Sequence, residues 1–448
     1  MIHSLYNLAT YAATPLLRRK LRRRGQAEPG YLHAVEERFG RYAAPRPDAD
    51  ASQGRPLIWI HAVSLGETRA AAVLLQALRA RWPDMRLLLT HGTATGRAEG
   101  AKLLREGDAQ VWQPWDTPAA TRRFYAHFRP DAGVLIETEI WPNLIAQGRR
   151  AGVPIALANA RLSEKSLRAA RRAAPLLRPA YAALTEVWAQ TEADAARLRQ
   201  AGARRVSVLG NLKFDAAPDP AALARGQAWR ARMGGQAGGR PVVMLASSQP
   251  GEEQALLAAI GRPPPAQPAQ SAQSVQWLIV PRHPQRFDAV AGLIAAAGWP
   301  ASRRSRWPAG EPPAADGSAV WLGDSLGEMA VWYTLADAAL LGGSFAPLGG
   351  QNLIEAAACG CPVIMGPHTY NFDQPARLAQ EAGAAERAVD MAGALAQALA
   401  LLQEPARRAR AAQAARAFAA SQRGAAGRMA GALGGVLGVA GKVVKTEY

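Results

Sequence analysis

What most constrains this chain is a rhythm that runs through it twice. From Pro56 a short apolar run gives way to a longer helical one. "PLIWIHAV" is followed by "GETRAAAVLLQALRARWP", and "MRLLLTHG" by a second helical stretch. "AQVWQPW", "AGVLIETE", "VPIALANA", "LTEVWAQ" and "RVSVLGNL" continue the series. Strands alternating with helices in this way form a mostly parallel sheet covered on both faces. The composition breaks at Ala216–Gly239, "AAPDPAALARGQAWRARMGGQAGG", and the pattern then restarts with "PVVMLASS", "VQWLIVPRH", "AVWLGD", "ADAALLGGS" and "CPVIMGP". At 448 residues the chain is too long for one core. The expected architecture is therefore α/β, with two doubly wound domains. Their strands present their carboxyl ends to a shared cleft, where open parallel sheets take ligands.

These shifts divide the chain at 25–220 and 241–404, with a linker over 221–240. Ahead of them, residues 1–24 hold the moderately apolar run "IHSLYNLATYAATPLL" and then "RRKLRRR". The apolar run is shorter than the roughly 20 residues a spanning helix needs, and no cleavage site marks it as a signal peptide. Two readings are open, a surface helix and a membrane-anchor helix lying in or barely crossing the bilayer. The arginine block favours the anchor, because anionic headgroups attract it and positive segments stay inside. The tail, 405–448, ends in "GRMAGALGGVLGVAGKVV", whose glycines weaken an isolated helix. It is expected to lie against a partner surface. "PPPAQPAQSAQS" (263–274) and "PAGEPPAADGS" (308–318) read as exposed loops without chemistry.

Lys plus Arg number 53 against 35 Asp plus Glu, a net charge of +18. That suits anionic lipid or an acidic small substrate. The basic-aromatic interleaving of single-strand binders is missing, so no nucleic acid is expected. The two cysteines, Cys359 and Cys361, have no second pair to make a zinc ribbon and read as small buried thiols.

The chemistry-bearing residues stand where strands end. Ser64-Leu65-Gly66-Glu67 opens a helix after "IWIHAV". Glu67 reads either as a first-turn residue stabilised by free helix amides or as a general base at the sheet edge. Glu137 and Glu139 follow another buried strand, where charge is costly unless paired or used. Lys213 follows a third, and Arg282 with His283 a fourth. "LGGSFAPLGGQNLIEAAACGCPVIMGPHTYNF" adds two glycine pairs, Gly342-Gly343 and Gly349-Gly350, ahead of Asn352 and Glu355. This is either a ligand loop or a tight crossover.

The ordered set resembles one family closely, the 3-deoxy-D-manno-octulosonic acid (Kdo) transferases of Gram-negative lipopolysaccharide synthesis. "PGYLHAVEERFG", "WIHAVSLGE", "LLLTHGTATG", "ETEIWPNLI", "NARLSEKS", "GNLKFD", "VPRHPQRF", "GDSLGEM" and the glycine loop carry the resemblance over nearly the whole chain. It implies a GT-B glycosyltransferase with two Rossmann-like domains, acting at the cytoplasmic face of the inner membrane without a catalytic metal. The donor would be CMP-Kdo and the acceptor the tetraacylated, bisphosphorylated disaccharide precursor of lipid A. The amino-terminal domain would hold the acceptor and the carboxy-terminal domain the nucleotide. Glu67 matches the family's general base. Glu137 and Lys213 match its transition-state supports, with Glu139 in reserve. Pro281, Arg282, Leu326, Gly327, Glu328, Gly343, Ser344, Asn352, Leu353, Ile354 and Glu355 match or adjoin its nucleotide contacts, and Glu355 would hold the ribose hydroxyls. Burial beside Glu137 would raise the basicity of Glu67. Gln249, in "SSQPGEE", and Gln351 stand where the family commonly has histidines, which points to positioning roles there. The rival readings are another GT-B transferase or epimerase, and a basic membrane-associated binding protein.

Overall fold

A computed structural model of the chain describes residues 2–50, 53–234, 239–262, 275–315 and 317–443. The Pro-rich run 263–274 lies outside the described residues. The chain forms two compact units, Met1–Asp215 with Arg423–Tyr448, and Ala216–Gln422.

The first unit holds seven parallel strands: β1 Leu57–His61, β2 Arg86–His91, β3 Ala109–Trp112, β4 Ala132–Ile136, β5 Ile155–Ala160, β6 Glu186–Ala189 and β7 Val206–Val208. Their order is β3-β2-β1-β4-β5-β6-β7. Alternate residues feed two cores, with Leu57, Trp59 and Leu135 on one face and Ile58, Ile60 and Val134 on the other. Period-2 alternation with both faces apolar is why these strands read as continuous hydrophobic runs.

The second unit repeats the plan with β8 Val242–Ser248, β9 Gln276–Pro281, β10 Ala301–Arg303, β11 Val320–Leu322, β12 Ala338–Leu341, β13 Val363–Met365 and β14 Ala385–Arg387. Again all neighbours are parallel, in the order β10-β11-β9-β8-β12-β13-β14. One face is aliphatic, built on Val243, Leu245, Ile279 and Leu340. On the other face Trp321, which alternates with Val320 and Leu322, joins Trp229, Trp307 and Trp332 in edge-to-face or tilted contacts, with centroids 5.3–5.7 Å apart. Two parallel α/β units agree with a GT-B fold.

The amino end differs from expectation. Among the described residues no helix is long and apolar enough to cross a membrane. Residues 1–24 do not form the single membrane-anchor helix expected there, since nothing in them is long and apolar enough to cross; they belong to two consecutive helices, Ile2–Ala12 and Thr14–Ala27. At 1.5 Å per residue the first spans about 16 Å, roughly half a hydrocarbon core. Three polar side chains of the first helix tie it to the first unit. Tyr6 donates to Asp116 at 2.7 Å, His3 lies 2.9 Å from the Asn143 side chain, and the Tyr11 hydroxyl accepts from the Ala119 amide at 3.2 Å.

The tail also departs from its expected role. Helix Pro405–Ser421 belongs to the second unit, whereas helix Ala425–Val443 returns to the first. Ala425, Met429, Leu433 and Val436 recur at helical spacing and are buried in the core of Leu74 and Leu78. Gly427, Gly431, Gly435 and Gly438 fall on the opposite side, with open space around them. Those four glycines therefore sit away from the seam, while Gly434 lies beside Arg81, and the surface this helix covers is the chain's own. Asp215 accepts from the Gly424 and Ala426 amides, holding the start of the helix.

Candidate active site

Each sheet has one place where the chain reverses its direction of growth. In the first unit it falls between β1 and β4, where an open α/β sheet takes its ligand. Glu67 follows β1, and Glu137 and Glu139 follow β4.

Ser64 caps helix Leu65–Arg81, with its hydroxyl oxygen accepting from the Glu67 amide. Glu67 in turn accepts from the Ser64 hydroxyl at 3.0 Å and from the Val63 amide at 2.7 Å. This variant of the capping box fixes the carboxylate at the sheet edge. Both readings of Glu67 thus meet in one side chain: it caps the helix, and the cap aims it. Burial first, and then the negative charge of Glu139, hold its carboxyl above the ordinary value despite those hydrogen bonds.

The expected neighbour was Glu137, and here the structure corrects the reading. Glu137 is engaged elsewhere, with Arg161 Nε at 3.0 Å and Lys213 Nζ at 3.7 Å. Its backbone is left-handed, at φ 62°, an unusual state for a non-glycine residue. That conformation turns the chain off β4, while its amide still donates to Ala158 and its carbonyl accepts from Arg161. Glu139 accepts from the Trp141 indole at 2.6 Å and faces His61 Nε2 at 3.7 Å. Burial alone would push Glu139 up, but His61 and Trp141 together hold it below its ordinary value. The two carboxylates therefore have their affinities for protons moved apart, the pattern that marks acid-base assignments.

In the second unit the reversal falls between β8 and β12. Gly342 follows β12 and comes so close to Ser247 that a Cβ there would lie 2.4 Å from the Ser247 carbonyl oxygen. Gly343, Gly349 and Gly350 all have positive φ, so the loop requires glycine. Sequence reasoning missed what shapes it. Glu252, buried in "SSQPGEE", accepts from the amides of Gln249, Gly343, Phe345 and Ala346 at 2.8–3.1 Å. The amides of Gly343, Phe345 and Ala346, in the loop matched to the nucleotide contacts, thus meet a carboxylate of the protein itself. Glu253 beside it is paired two-pronged with Arg286.

The remaining expected contacts divide by where their side chains go. Ser344 is buried, donating to Leu341 and accepting from the Gly366 amide. Leu353 and Ile354 belong to the buried core, and Pro281 closes β9. Asn352 caps the following helix by accepting from the Ile354 amide at 3.1 Å. Glu328 is enclosed by Arg304, Arg225 and Ser325, which hold its carboxyl below the ordinary value against the effect of burial. Leu326 is 72% exposed on the turn at Gly327, where φ is 79°. Arg282 is exposed, Glu355 and Gln351 are half-buried, and Gln249 is buried. Cys361 is buried and Cys359 half-buried; both are free thiols, and burial pushes Cys359 up to about 12. Among the described residues no three His, Cys, Asp or Glu side chains gather as a metal-holding group.

Known proteins match this arrangement. A family model described as 3-deoxy-D-manno-octulosonic-acid transferase (kdotransferase) covers residues 33–216. The 3-deoxy-D-manno-octulosonic acid transferase of Bordetella pertussis is 49% identical over 447 residues, 98% of this chain and 100% of that protein. Its counterpart from Haemophilus influenzae is 31% identical, over 81% of this chain and 84% of that protein. A solved glycosyltransferase from Rickettsia africae shares the fold at 12% identity, with a TM-score of 0.54, over 88% of this chain and 100% of that one. The chain belongs to the 3-deoxy-D-manno-octulosonic acid transferase family. It is a glycosyltransferase that transfers Kdo, which removes the epimerase and scaffold readings.

Proposed function

We propose that the protein transfers Kdo from CMP-Kdo to a sugar hydroxyl of the tetraacylated, 1,4'-bisphosphorylated disaccharide precursor of lipid A, in lipopolysaccharide biosynthesis. The first unit takes the acceptor and the second the CMP-Kdo. The observation that carries this reading is Glu67, aimed by its cap and made more basic by burial and Glu139. Glu67 removes the proton of the acceptor hydroxyl, whose oxygen attacks the anomeric carbon of Kdo. The bond from that carbon to the CMP phosphate oxygen breaks, its electron pair leaves with CMP, and the configuration inverts. General base help of this kind contributes about 10²–10⁴-fold. Lys213, steadied by Glu137, and the exposed Arg282 supply positive charge for the Kdo carboxylate and the departing phosphate. The net charge of +18 draws a doubly phosphorylated acceptor and an anionic donor toward the protein. Family membership supports work at the inner membrane, on its cytoplasmic side.

The test is incubation of the purified chain with the disaccharide acceptor and a CMP-Kdo generating system, reading product mass. Addition of one or more Kdo units is expected. Release of CMP without any change in acceptor mass would overturn the acceptor assignment.

A further inference from the structure

His61 closes β1 and is fully buried, behind Glu139. Its Nδ1 lies 2.8 Å from the Thr90 hydroxyl on β2, and that hydroxyl also lies 2.8 Å from the Trp59 indole nitrogen. An indole N–H only donates, and a hydroxyl has one proton to give. Thr90 accepts from Trp59, and His61 Nδ1 is the one acceptor within its reach among the described residues, so the hydroxyl proton goes to Nδ1. The ring's own proton is then on Nε2, 3.7 Å from Glu139 Oε2, and Nε2 has no hydrogen-bond partner among the described residues. A buried N–H aimed at a buried carboxylate favours the charged form of that carboxylate.

We propose that His61 is the positioning residue that keeps Glu139 ionised beside Glu67, through an Nε2 proton whose place is fixed by Thr90 and Trp59. The role rests on Glu67 being the base. If Glu139 took up a proton, Glu67 would lose the neighbouring charge that makes it basic. The other titratable groups around this chain leave that task to His61. His91, next to Thr90 on β2, gives its Nδ1 proton to the Ala62 carbonyl at 2.9 Å, and burial keeps it neutral. Glu137 is bound to Arg161 and Lys213. Arg97, which bears on His91, pairs with Glu37 at 3.0 Å.

The experiment is the pH profile of kcat/KM for Kdo transfer, in wild type, Glu139→Gln, His61→Phe, Thr90→Val and the Glu139→Gln/His61→Phe double variant. In wild type the acid limb follows the raised affinity of Glu67 for its proton. Removing the Glu139 charge moves that limb down by about 1 pH unit. His61→Phe moves it the same way, because Glu139 then holds the shared proton and leaves Glu67 ionised. Thr90→Val, which releases the His61 tautomer, gives a smaller shift in the same direction and keeps the test open if the phenylalanine variant does not fold. The double variant moves no further than Glu139→Gln alone. An acid limb unmoved in Glu139→Gln, or in both His61→Phe and Thr90→Val, would overturn the proposal. So would a His61→Phe shift that survives in full in the Glu139→Gln background. A wild type that transfers no Kdo would instead bring down the assigned function, which separates the two failures.

Discussion

At the reversal point between β1 and β4, Glu139 acts on Glu67, while Glu137, two positions before Glu139, is paired with Arg161 and Lys213. At the reversal point between β8 and β12, the carboxylates are already committed. Glu252 is bound to four main-chain amides and Glu253 to Arg286. One edge thus keeps a carboxylate whose affinity for a proton is raised by burial and by Glu139. The other uses carboxylates to hold backbone in shape. The difference is one of compensation: the first unit leaves Glu67 without a cationic partner among the described residues, and the second ties its carboxylates to amides and to Arg286. A charge left unpaired is chemistry in waiting, and a compensated one is architecture.

The hardest blow to that contrast is Glu67→Gln. It preserves size and most of the cap but removes the base, so kcat falls by about 10²–10⁴-fold with CMP affinity unchanged. Turnover near that of wild type, with normal melting, would make Glu67 a cap only. Glu252→Gln tests the other edge. Replacing charge-assisted hydrogen bonds worth about 1.5–3 kcal/mol each with an amide that must turn an NH₂ toward N–H groups loosens the glycine loop. CMP affinity then drops by about 10–100-fold and the melting temperature falls with it. Equal CMP binding in calorimetry would mean that the loop's shape is not what the nucleotide reads. Glu355→Ala is milder. Loss of its hydrogen bonding to the ribose weakens CMP by about tenfold with melting unchanged, and an unaltered affinity would take Glu355 out of the donor site.

The smallest effect sharpens the comparison within the first unit. His91 is driven the opposite way from Glu67, to about 3 from 6.5, chiefly by burial. Its Nδ1 proton goes to Ala62, and Nε2 has no partner among the described residues to receive a second. A folded-state affinity below the unfolded one adds stability that is present above pH 6.5 and is lost as pH falls toward 3. The slope is at most about 1.4 kcal/mol per pH unit. Melting followed from pH 7 downward is expected to fall less steeply in His91→Gln than in wild type. Parallel slopes would mean that the pocket accepts the charge without cost.

Much of this was legible because strands such as β1, β4 and β8 are buried on both faces and read as unbroken apolar runs. The strands β10 and β14 were not seen. Each is a three-residue edge strand, "ASR" and "AER", whose arginine and partial exposure leave no such run. Glu137 and Glu139 were visible because a charge soon after a buried strand such as β4 is conspicuous in one dimension, whereas Glu67 and Lys213 stand further from β1 and the partly buried β7. Which carboxylate faces which was not visible, since Glu137 and Glu139 differ by two positions and only the left-handed turn at Glu137 separates their partners. Glu252 escaped for another reason: its amide partner Gly343 is 91 residues away, and local pattern carries no trace of so distant a bond. The helix Ala425–Val443 was misread because its glycines were counted and their side of the helix was not.

That returning helix has a consequence for how the protein is made. The second unit is one unbroken segment, Ala216–Gln422, and all of it leaves the ribosome before the residues that complete the first. At about 5–20 residues per second, the core under Leu74 and Leu78 waits roughly 10–40 s for Met429 and Leu433. During that interval the earlier-made part shows an apolar groove to the cell, with Asp215 holding no helix. The chaperone burden of this enzyme therefore falls on its beginning, and a ribosome stalled anywhere before residue 423 leaves the half that carries Glu67 unfinished.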